Sequence, residues 1–170
     1  MATIHSKTVR AGSHRPSRQG EPLDFGGSRA PSGGWRKGEV ERRISDWVRR
    51  LTGLYDQLDG WIAGLPDVSA RREGQTQLIE HPMKEAGVRP RTVPAWTALR
   101  GKKRVSFSPS SLWILGANGR VNVITNSGAH VLVDLGGVEG GPSDWRLVDT
   151  SRRNMHRPFD RAVLLELLRE

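Results

Sequence analysis

A chain of 170 residues is long enough for one domain and an appended segment, and its lack of cysteine excludes disulfides, thiol catalysis and thiolate-bound metal. Its net charge is +9, and the first 38 residues contribute five of these charges because they hold seven Lys and Arg residues against two acidic ones. No apolar run approaches the roughly 20 residues of a membrane-spanning helix, and the N-terminus lacks the apolar segment of a secretory signal, so we expect a cytoplasmic protein with no membrane partner.

Residues 1–37 are predicted to form a flexible basic tail. They are rich in Gly, Pro, Ser and Arg, and they hold too few apolar residues to offset the entropy cost of becoming ordered. Arginine-rich segments of this kind contact phosphates and become ordered when they bind. The tail therefore predicts a salt-sensitive contact with an RNA or DNA backbone through seven cations: Lys7, Arg10, Arg15, Arg18, Arg29, Arg36 and Lys37.

Residues 38–65 are predicted to form a long amphipathic helix. Apolar residues recur there at alternating spacings of four and three, which is the period of one helix face. This row consists of Val40, Ile44, Trp47, Leu51, Leu54, Leu58, Trp61 and Leu65. A neighbouring apolar row widens the stripe, and large tryptophans lie within it, so packing on a sheet is favoured and a coiled coil is the alternative.

Residues from about 75 to 150 predict an antiparallel β-meander, and residues 158–169 predict a short C-terminal helix. The first strand is expected at residues 75–81, and tight turns separate later strands at residues 100–102, 118–119 and 126–128. The Asn-Gly pair is the strongest of these turn signals, because a type I′ turn needs a positive φ at both central residues. With the long helix, these segments predict a single α+β domain over residues 38–170.

The Asn-Gly turn would also fix the register of its two strands. It would pair Ile114 with Val123 on one face and Trp113 with Ile124 on the other. Both faces of the meander would then be substantially apolar, unlike those of a sheet that is exposed to solvent on one side. We therefore expect the long helix to cover one face, and the C-terminal helix, a second subunit or another protein to cover part of the other.

Two short motifs lie within these segments. Leu54, Tyr55 and Trp61 match an L-Y-x(5)-W signature, and residues 116–121 match a G-A-x-G-R-V-D turn up to its valine. In these motifs the chain, over roughly residues 40–170, resembles an uncharacterised family of small bacterial proteins. The resemblance implies a long helix, a strand-rich middle and a leucine-rich C-terminal helix, and it implies no activity. Asn122 stands where the family pattern has Asp, which speaks against an essential carboxylate there.

The motifs of common catalytic sites are missing from the sequence. It contains no G-x-x-x-x-G-K-[ST] phosphate loop, no G-x-S-x-G nucleophile elbow and no helical histidine pair at metal-ligand spacing. Carboxylates in and near the predicted sheet are few: Glu80, Asp134, Asp144 and Asp149. We therefore expect no metal and no cofactor, and a non-enzymatic role is favoured. An enzyme whose residues converge from distant positions stays open as an alternative.

The remaining candidate functional residues are clustered cations and tryptophans. A predicted hairpin tip adds three candidate nucleic-acid contacts to those of the tail: Lys102, Lys103 and Arg104. Four tryptophans are the candidate contacts with a protein partner: Trp35, Trp47, Trp61 and Trp113.

These features favour a non-catalytic accessory protein. It would dock on a protein partner, or on a second copy of itself, and contact nucleic-acid phosphates through its basic tail. The alternative is a protein-interaction module of an operon-encoded pair, of effector and neutraliser type, with no nucleic-acid role.

Overall fold

The computed structural model describes residues 34–137, 139–148 and 155–170, so the predicted tail lies outside it up to residue 33. The described elements are α1 (Lys37–Ile62), β1 (Val68–Leu78), α2 (His81–Glu85), β2 (Arg91–Arg100), β3 (Lys103–Ser111), β4 (Arg120–Ile124), β5 (Ala129–Asp134), β6 (Trp145–Val148), β7 (His156–Pro158) and α3 (Arg161–Leu167). The strands form one antiparallel sheet in sequence order. The predicted α+β meander is therefore confirmed.

Helix α1 buries the apolar stripe that its sequence spacing predicts. Trp47, Leu54 and Leu58 are at most 1% exposed, and they share one core with Trp96 and Phe107 of the sheet. The stripe therefore packs on the sheet, because a helix with a wide apolar face gains most by covering an equally apolar surface. The helix ends at Ile62 rather than at residue 65, since the following residue leaves the helical conformation with ψ at 128°.

Several element boundaries differ from the prediction. Strand β1 begins at Val68 rather than at residue 75 and ends at Leu78. His81, the last residue predicted for this strand, instead begins the short helix α2, with Pro82 in its first turn. Strand β7 occupies the predicted start of the C-terminal helix. Helix α3 starts later because the side chain of Asp160 caps it, accepting a hydrogen bond from the Val163 amide at 3.0 Å.

Two of the three predicted turns are confirmed. Strands β2 and β3 pair from Arg100 opposite Lys103, and Gly101 in the turn between them has a φ of 58°, which glycine adopts without strain. Strands β4 and β5 pair from Ile124 opposite Ala129 and enclose the second turn.

The predicted hairpin around residues 118–119 is wrong. Strand β4 pairs with β3, so Val123 lies opposite Phe107 and not opposite Ile114. Residues 112–119 form a loop in which Gly116, and not residue 118 or 119, has a positive φ of 72°. This loop is held by Arg43 of α1, which donates to the backbone carbonyls of Leu112, Ala117 and Asn118 at 3.1 to 3.2 Å. A distant cation thus stabilises a conformation that competes with the local turn preference.

The corrected register also changes the two faces of the sheet. Val121 and Val123 face the helices with Phe107, whereas Asn122 lies opposite Ser108 on the other face. Of the three alternatives for covering the second face, the C-terminal helix is excluded, because Phe159, just before α3, contacts Phe107 with ring centroids 5.7 Å apart. Helices α1 and α3 therefore cover the same face, and no described helix covers the opposite one.

None of the described helices is both long enough and apolar enough to cross a lipid bilayer.

Candidate nucleic-acid interface

The sequence-predicted cations that the structure describes lie at the two ends of the sheet. Five of them lie outside the described residues: Lys7, Arg10, Arg15, Arg18 and Arg29. Arg36 and Lys37 lie at the start of α1, close to the beginning of β2, whereas residues 102–104 follow the end of β2. Strand β2 has ten residues and therefore spans about 30 Å. The described members of the two predicted groups are accordingly separate surfaces.

The first surface, which we call the tail-junction surface, consists of Lys37, Arg89 and Arg91. These residues line a groove of about 520 Å³ between the start of α1 and the loop before β2. The groove also contains Glu41, whose carboxylate lies 4.0 Å from the ammonium of Lys37. Because the side chains at both ends of this contact are more than half exposed, the pair contributes little binding energy and leaves the surface cationic.

The second surface, which we call the hairpin-tip surface, consists of Lys102, Lys103 and Arg104. It packs on the neighbouring β4–β5 turn, where Asn126 Oδ1 accepts a hydrogen bond from the Arg104 amide at 2.7 Å. The Lys103 ammonium donates to the backbone carbonyl oxygen of Glu170. The side chains of all three cations belong to exposed residues, so this end of the sheet presents a fixed cationic rim to solvent.

Glu170 links the segment after α3 to the turn between β4 and β5. Its Oε2 accepts hydrogen bonds from Ser127 Oγ at 2.7 Å and Thr125 Oγ1 at 2.9 Å, and it lies 3.0 Å from His130 Nε2. Burial raises the pKa of the Glu170 carboxyl, but the hydrogen bonds from these three side chains outweigh burial and hold the pKa below its ordinary value. The cluster therefore stabilises the charged carboxylate.

A cavity of about 630 Å³ opens beside this cluster. Polar side chains in its lining belong to Ser127, His130, His156, Arg157 and Glu170, and apolar ones belong to Leu147, Val148 and Met155. The cavity adjoins the hairpin-tip surface because Glu170 belongs to its wall and contacts Lys103. Polar and apolar residues therefore alternate around this cavity, as the pairing of Leu147 with Arg157 and of Val148 with His156 requires.

Cations at the two ends of the sheet differ from those on α1 and the outer strands in whether they form ion pairs. Along α1 and the outer strands, arginines form ion pairs with nearby carboxylates, as in Arg72 with Asp56 and Asp59 at 2.6 Å. Seven cationic side chains have neither an ion pair nor a hydrogen bond to another described residue: Arg36, Lys84, Arg89, Arg91, Lys102, Arg104 and Arg169. Lys84 belongs to the tail junction, because its neighbour Glu85 lies beside Gly34, and Arg169 belongs to the hairpin tip, because its neighbour Glu170 contacts Lys103. The unpaired positive charge of the described residues is therefore concentrated at these two ends.

A buried ionic network lies between the sheet and α1. Arg50, whose side chain is fully buried, donates to Asp46 Oδ2 at 2.7 Å and to Asp134 Oδ2 at 2.8 Å. It also donates to the backbone carbonyls of Gly137 and Pro142, which belong to the glycine-rich loop before β6. The network therefore fixes this loop on α1. Each charge in the network has an opposite charge or hydrogen-bond partners within the protein, as buried charges need. We therefore assign the network a structural role.

The described carboxylates in and near the sheet also form hydrogen bonds or ion pairs within the protein. Asp134 Oδ1 accepts hydrogen bonds from the amides of Gly136 and Asp144, in addition to the Arg50 contact. Asp144 pairs with Arg146 at 2.8 Å. Glu80 accepts from the Leu112 amide at 2.7 Å. Asp149 lies outside the described residues, and within those described no group of three His, Asp or Glu side chains converges as metal ligands would.

The four tryptophans predicted to contact a partner are used within the domain. Trp47 is 1% exposed and tilts against Trp145, so it has no surface to offer in this structure. Half-buried Trp61 packs edge-on against Phe159 at 5.6 Å. Trp35 contacts Trp113 at 6.0 Å and is half-buried, as is Trp113. Trp35 thus anchors the end of the predicted tail on its own domain.

Sequence reasoning missed the cluster around Glu170 and the buried Arg50. The Glu170 cluster had no local signal, because its members are separated by 40 to 45 residues. Arg50 left a weak signal. It lies one helical turn after Asp46, a spacing that is typical of local ion pairs on exposed helix faces. The contact with Asp134, 84 residues away, is what makes the pair a buried one.

Comparisons with known proteins do not assign the chain to a family. No protein-family model matches the chain, and neither a curated protein nor a solved structure matches it.

Proposed function

We propose that this protein is a non-catalytic accessory protein that docks on a protein partner and contacts the phosphates of a nucleic acid. The observation that carries the proposal is the concentration of cations without a described partner at the two ends of the sheet. One end is the point where the basic segment of residues 1–33 joins the domain, and the other is the hairpin-tip surface. Free lysines and arginines in such a patch attract a polyanion and release its counterions.

The chemistry of the candidate groups supports backbone contact rather than base readout. Lys102 and Arg104 are exposed and belong to a turn, so they can reach phosphates without entering a groove. The described tryptophans pack within the domain and do not line up on adjacent strands as a stacking platform would require. We therefore expect affinity that depends strongly on salt and weakly on base sequence.

The protein-docking part of the proposal rests on the sheet face opposite the helices. Ile124 is 47% exposed there, and Val131 and Val148 are half-buried in the same neighbourhood. Polar Asn122 and Ser108 separate these apolar residues. A mixed surface of this kind suits a partner that also exists as a free protein, since non-obligate interfaces are about as polar as ordinary surface.

The nucleic-acid part is tested by measuring oligonucleotide binding as a function of salt with fluorescence anisotropy. We expect K102Q/R104Q to weaken binding of single- and double-stranded oligonucleotides alike. The slope of log K against log salt should fall by about 0.7 to 0.9 for each phosphate that the variant no longer neutralises. Neutralising the tail cations (K7Q/R10Q/R15Q/R18Q/R29Q) should have the larger effect, because it removes five charges.

The matched control is R42Q/R71Q, which also removes two charges. Both arginines are exposed but already face a carboxylate, Glu139 at 3.6 Å and Glu73 at 2.6 Å respectively. If the control variant loses as much affinity as K102Q/R104Q, net charge and not the hairpin tip governs binding. If the unaltered protein ignores oligonucleotides at low salt, the nucleic-acid role is wrong.

The same exposed sheet face favours a second candidate function, a protein-interaction module with no nucleic-acid role. Purification from native lysate with and without nuclease separates the two candidates. A stoichiometric partner that persists after nuclease treatment, together with no oligonucleotide binding, would support the second. I124D should then release that partner, because a carboxylate would be placed within the apolar part of the face.

A further inference from the structure

The groove at the tail-junction surface lies between two parts of the domain that are held in place. Its volume is about 520 Å³. One side is a stripe of α1 whose members are spaced as one helix face requires: Lys37, Glu41, Ile44 and Ser45. The other side is the loop of residues 87–91, where the Val88 amide donates to the carbonyl of buried Met83 at 2.8 Å. The groove is therefore a formed feature of the domain.

This groove combines a buried apolar part with exposed cations. Ile44 is 6% exposed and Val88 is half-buried, whereas the three cations of the tail-junction surface are exposed. Among the described residues that line the groove, Glu41 is the one carboxylate, so their net charge is positive. The phosphate contacts proposed above use the cations and leave the apolar part without a role. The whole groove fits a segment that carries both apolar side chains and negative charge.

The chain enters the described structure beside this groove. Gly34 is the first described residue, and a Cβ atom built on it would lie 3.2 Å from Glu85 Oε1. Glu85 precedes the first loop residue of the groove, Gly87, by two positions. Lys37, three residues after Gly34, lines the opposite side. Residues 1–33 therefore join the domain next to the groove.

One segment within residues 1–33 has the composition that the groove fits. Residues 21–25 read Glu-Pro-Leu-Asp-Phe. They contain both acidic residues of this part of the chain and its only Phe, Trp or Tyr. The charged residues elsewhere in residues 1–33 are all cations, which the positive groove repels. Charge complementarity therefore selects residues 21–25 as the occupant.

The connection between this segment and the domain has a suitable length. Residues 26–34 include four Gly and two Ser among nine residues. A linker of this composition and length has a root-mean-square end-to-end distance of about 15 to 18 Å. Such a distance suits a site next to the junction, and short linkers give effective concentrations in the millimolar range. A contact of only millimolar affinity would therefore occupy the groove about half of the time.

We propose that residues 21–25 dock in this groove of their own chain, with their apolar side chains on Ile44 and Val88 and their carboxylates facing the cations. The consequence for binding rests on the function proposed above, because the docked segment competes with a nucleic acid for the same cations. The apparent affinity of this end of the sheet then falls in proportion to the fraction of molecules whose groove is free. The segment is an autoinhibitory contact.

The contact itself is tested by NMR spectroscopy on the ¹⁵N-labelled full chain. We expect L23A/F25A to shift the backbone amide signals of the loop of residues 87–91 and of the first turns of α1, because it removes the apolar part of the contact. The matched control is I4A/V9A, which also removes two apolar side chains and no charge. Unshifted groove signals in L23A/F25A would overturn the proposal, as would equal shifts in both variants.

Dilution identifies which copy supplies the segment. A contact within one chain does not depend on protein concentration, so the differences between L23A/F25A and the unaltered protein should persist on dilution. Differences that disappear on dilution would show that the segment docks in a second copy, and the contact within one chain would then be wrong.

The inhibitory effect is tested by fluorescence anisotropy with oligonucleotides at low salt. We expect L23A/F25A to raise the affinity by about twofold to tenfold, because it frees the groove without changing the charge. I4A/V9A should leave the affinity unchanged. E21Q/D24N should raise it by more than E73Q/E139Q, which removes two exposed carboxylates that do not line the groove. A lower affinity of L23A/F25A would show that these side chains contact the nucleic acid, and autoinhibition would be wrong.

The two measurements separate this inference from the proposed function. If the groove signals shift in L23A/F25A but the unaltered protein and this variant bind no oligonucleotide, the docked segment stands and the nucleic-acid role is wrong. If oligonucleotides bind but the groove signals do not shift, the nucleic-acid role stands and the docked segment is wrong. If the signals shift and the affinity stays unchanged, the contact stands and its inhibitory effect is wrong.

Discussion

Gly119 lies directly against the indole ring of Trp47. A Cβ atom added at residue 119 would be 2.4 Å from Cζ3 and 2.5 Å from Cη2 of that ring. Trp47 is 1% exposed and has Trp145 on another side, so the ring cannot move away without opening the core. The glycine in the predicted Asn-Gly turn therefore serves close packing of a loop on α1, and not a turn that needs a positive φ.

We expect G119A to destabilise the protein by about 1 to 3 kcal/mol or more, because overpacking a rigid aromatic contact forces backbone shifts. Urea unfolding followed by tryptophan fluorescence measures the effect. The control is G53A, at an exposed position in α1 where an added Cβ would meet nothing within 4 Å. That change should stabilise the helix by about 1 kcal/mol. Equal stability of G119A and the unaltered protein would show that the loop relaxes freely.

The sequence was sufficient to predict the elements whose cause is local. The stripe of α1 follows from apolar spacing, and the β2–β3 turn follows from Gly101, whose φ of 58° suits glycine. The register of β4 was not predictable in the same way. Two alternatives compete for its pairing, and the correct one depends on Arg43 holding the loop of residues 112–119 from 69 to 75 residues away.

The candidate site was likewise predictable only where its residues are neighbours in the sequence. The hairpin-tip cations stand together in the sequence, so their exposure in a turn could be predicted. The cavity could not, because its walls come from the β4–β5 turn, from β6 and β7, and from Glu170. Such long-range convergence leaves no spacing that a single sequence reveals.

The contact of Arg50 with two aspartates leads to a second prediction. We expect R50A to lower the free energy of unfolding by about 3 to 5 kcal/mol, because it leaves Asp134 buried without its counterion and takes from Asp46 its buried one. Its neighbour Arg49 is about half exposed, although it also contacts Asp46 at 2.7 Å. R49A should therefore cost less than about 1 kcal/mol. Similar losses in both variants, measured by urea unfolding, would contradict the distinction between buried and exposed partners.

Acid sensitivity is expected from Asp46. Burial raises the pKa of its carboxyl, but hydrogen bonds from Arg50, Arg49 and the Gly140 amide outweigh burial and hold the pKa below 3.8. A carboxyl whose pKa is lowered by folding binds its proton more weakly in the folded state. Its contribution to stability is therefore complete above about pH 5 and is lost as the pH falls through 3.8 towards the folded-state pKa.

Unfolding curves between pH 2.5 and 7 test this expectation. D46N should be less stable than the unaltered protein at neutral pH, and the difference should shrink as the solution becomes acidic. D67N is a useful comparison, because the pKa of Asp67 is also lowered, chiefly by the hydrogen bond from Arg100, but its side chain is exposed. A constant difference for D46N across the whole pH range would contradict a role for its charge.

The edge-on contact of Trp35 with Trp113 leads to the last prediction, which concerns where the basic segment is attached. We expect W35A to lower stability by about 0.5 to 1.5 kcal/mol beyond the loss of buried area, as for other aromatic pairs. The contact also sets the direction in which the chain arrives at α1, two residues before Lys37. Loss of it should therefore reduce the affinity for oligonucleotides at low salt while leaving the number of charges unchanged.

W61A is the matched control for this last variant, because Trp61 is also half-buried and makes a similar contact with Phe159 at 5.6 Å, but near the far end of α1. The two variants should lose comparable stability, and W35A alone should lose affinity. If the two variants bind oligonucleotides equally well, the anchored position of the basic segment is irrelevant to binding. The segment would then act through its charge alone, as an untethered polycation would.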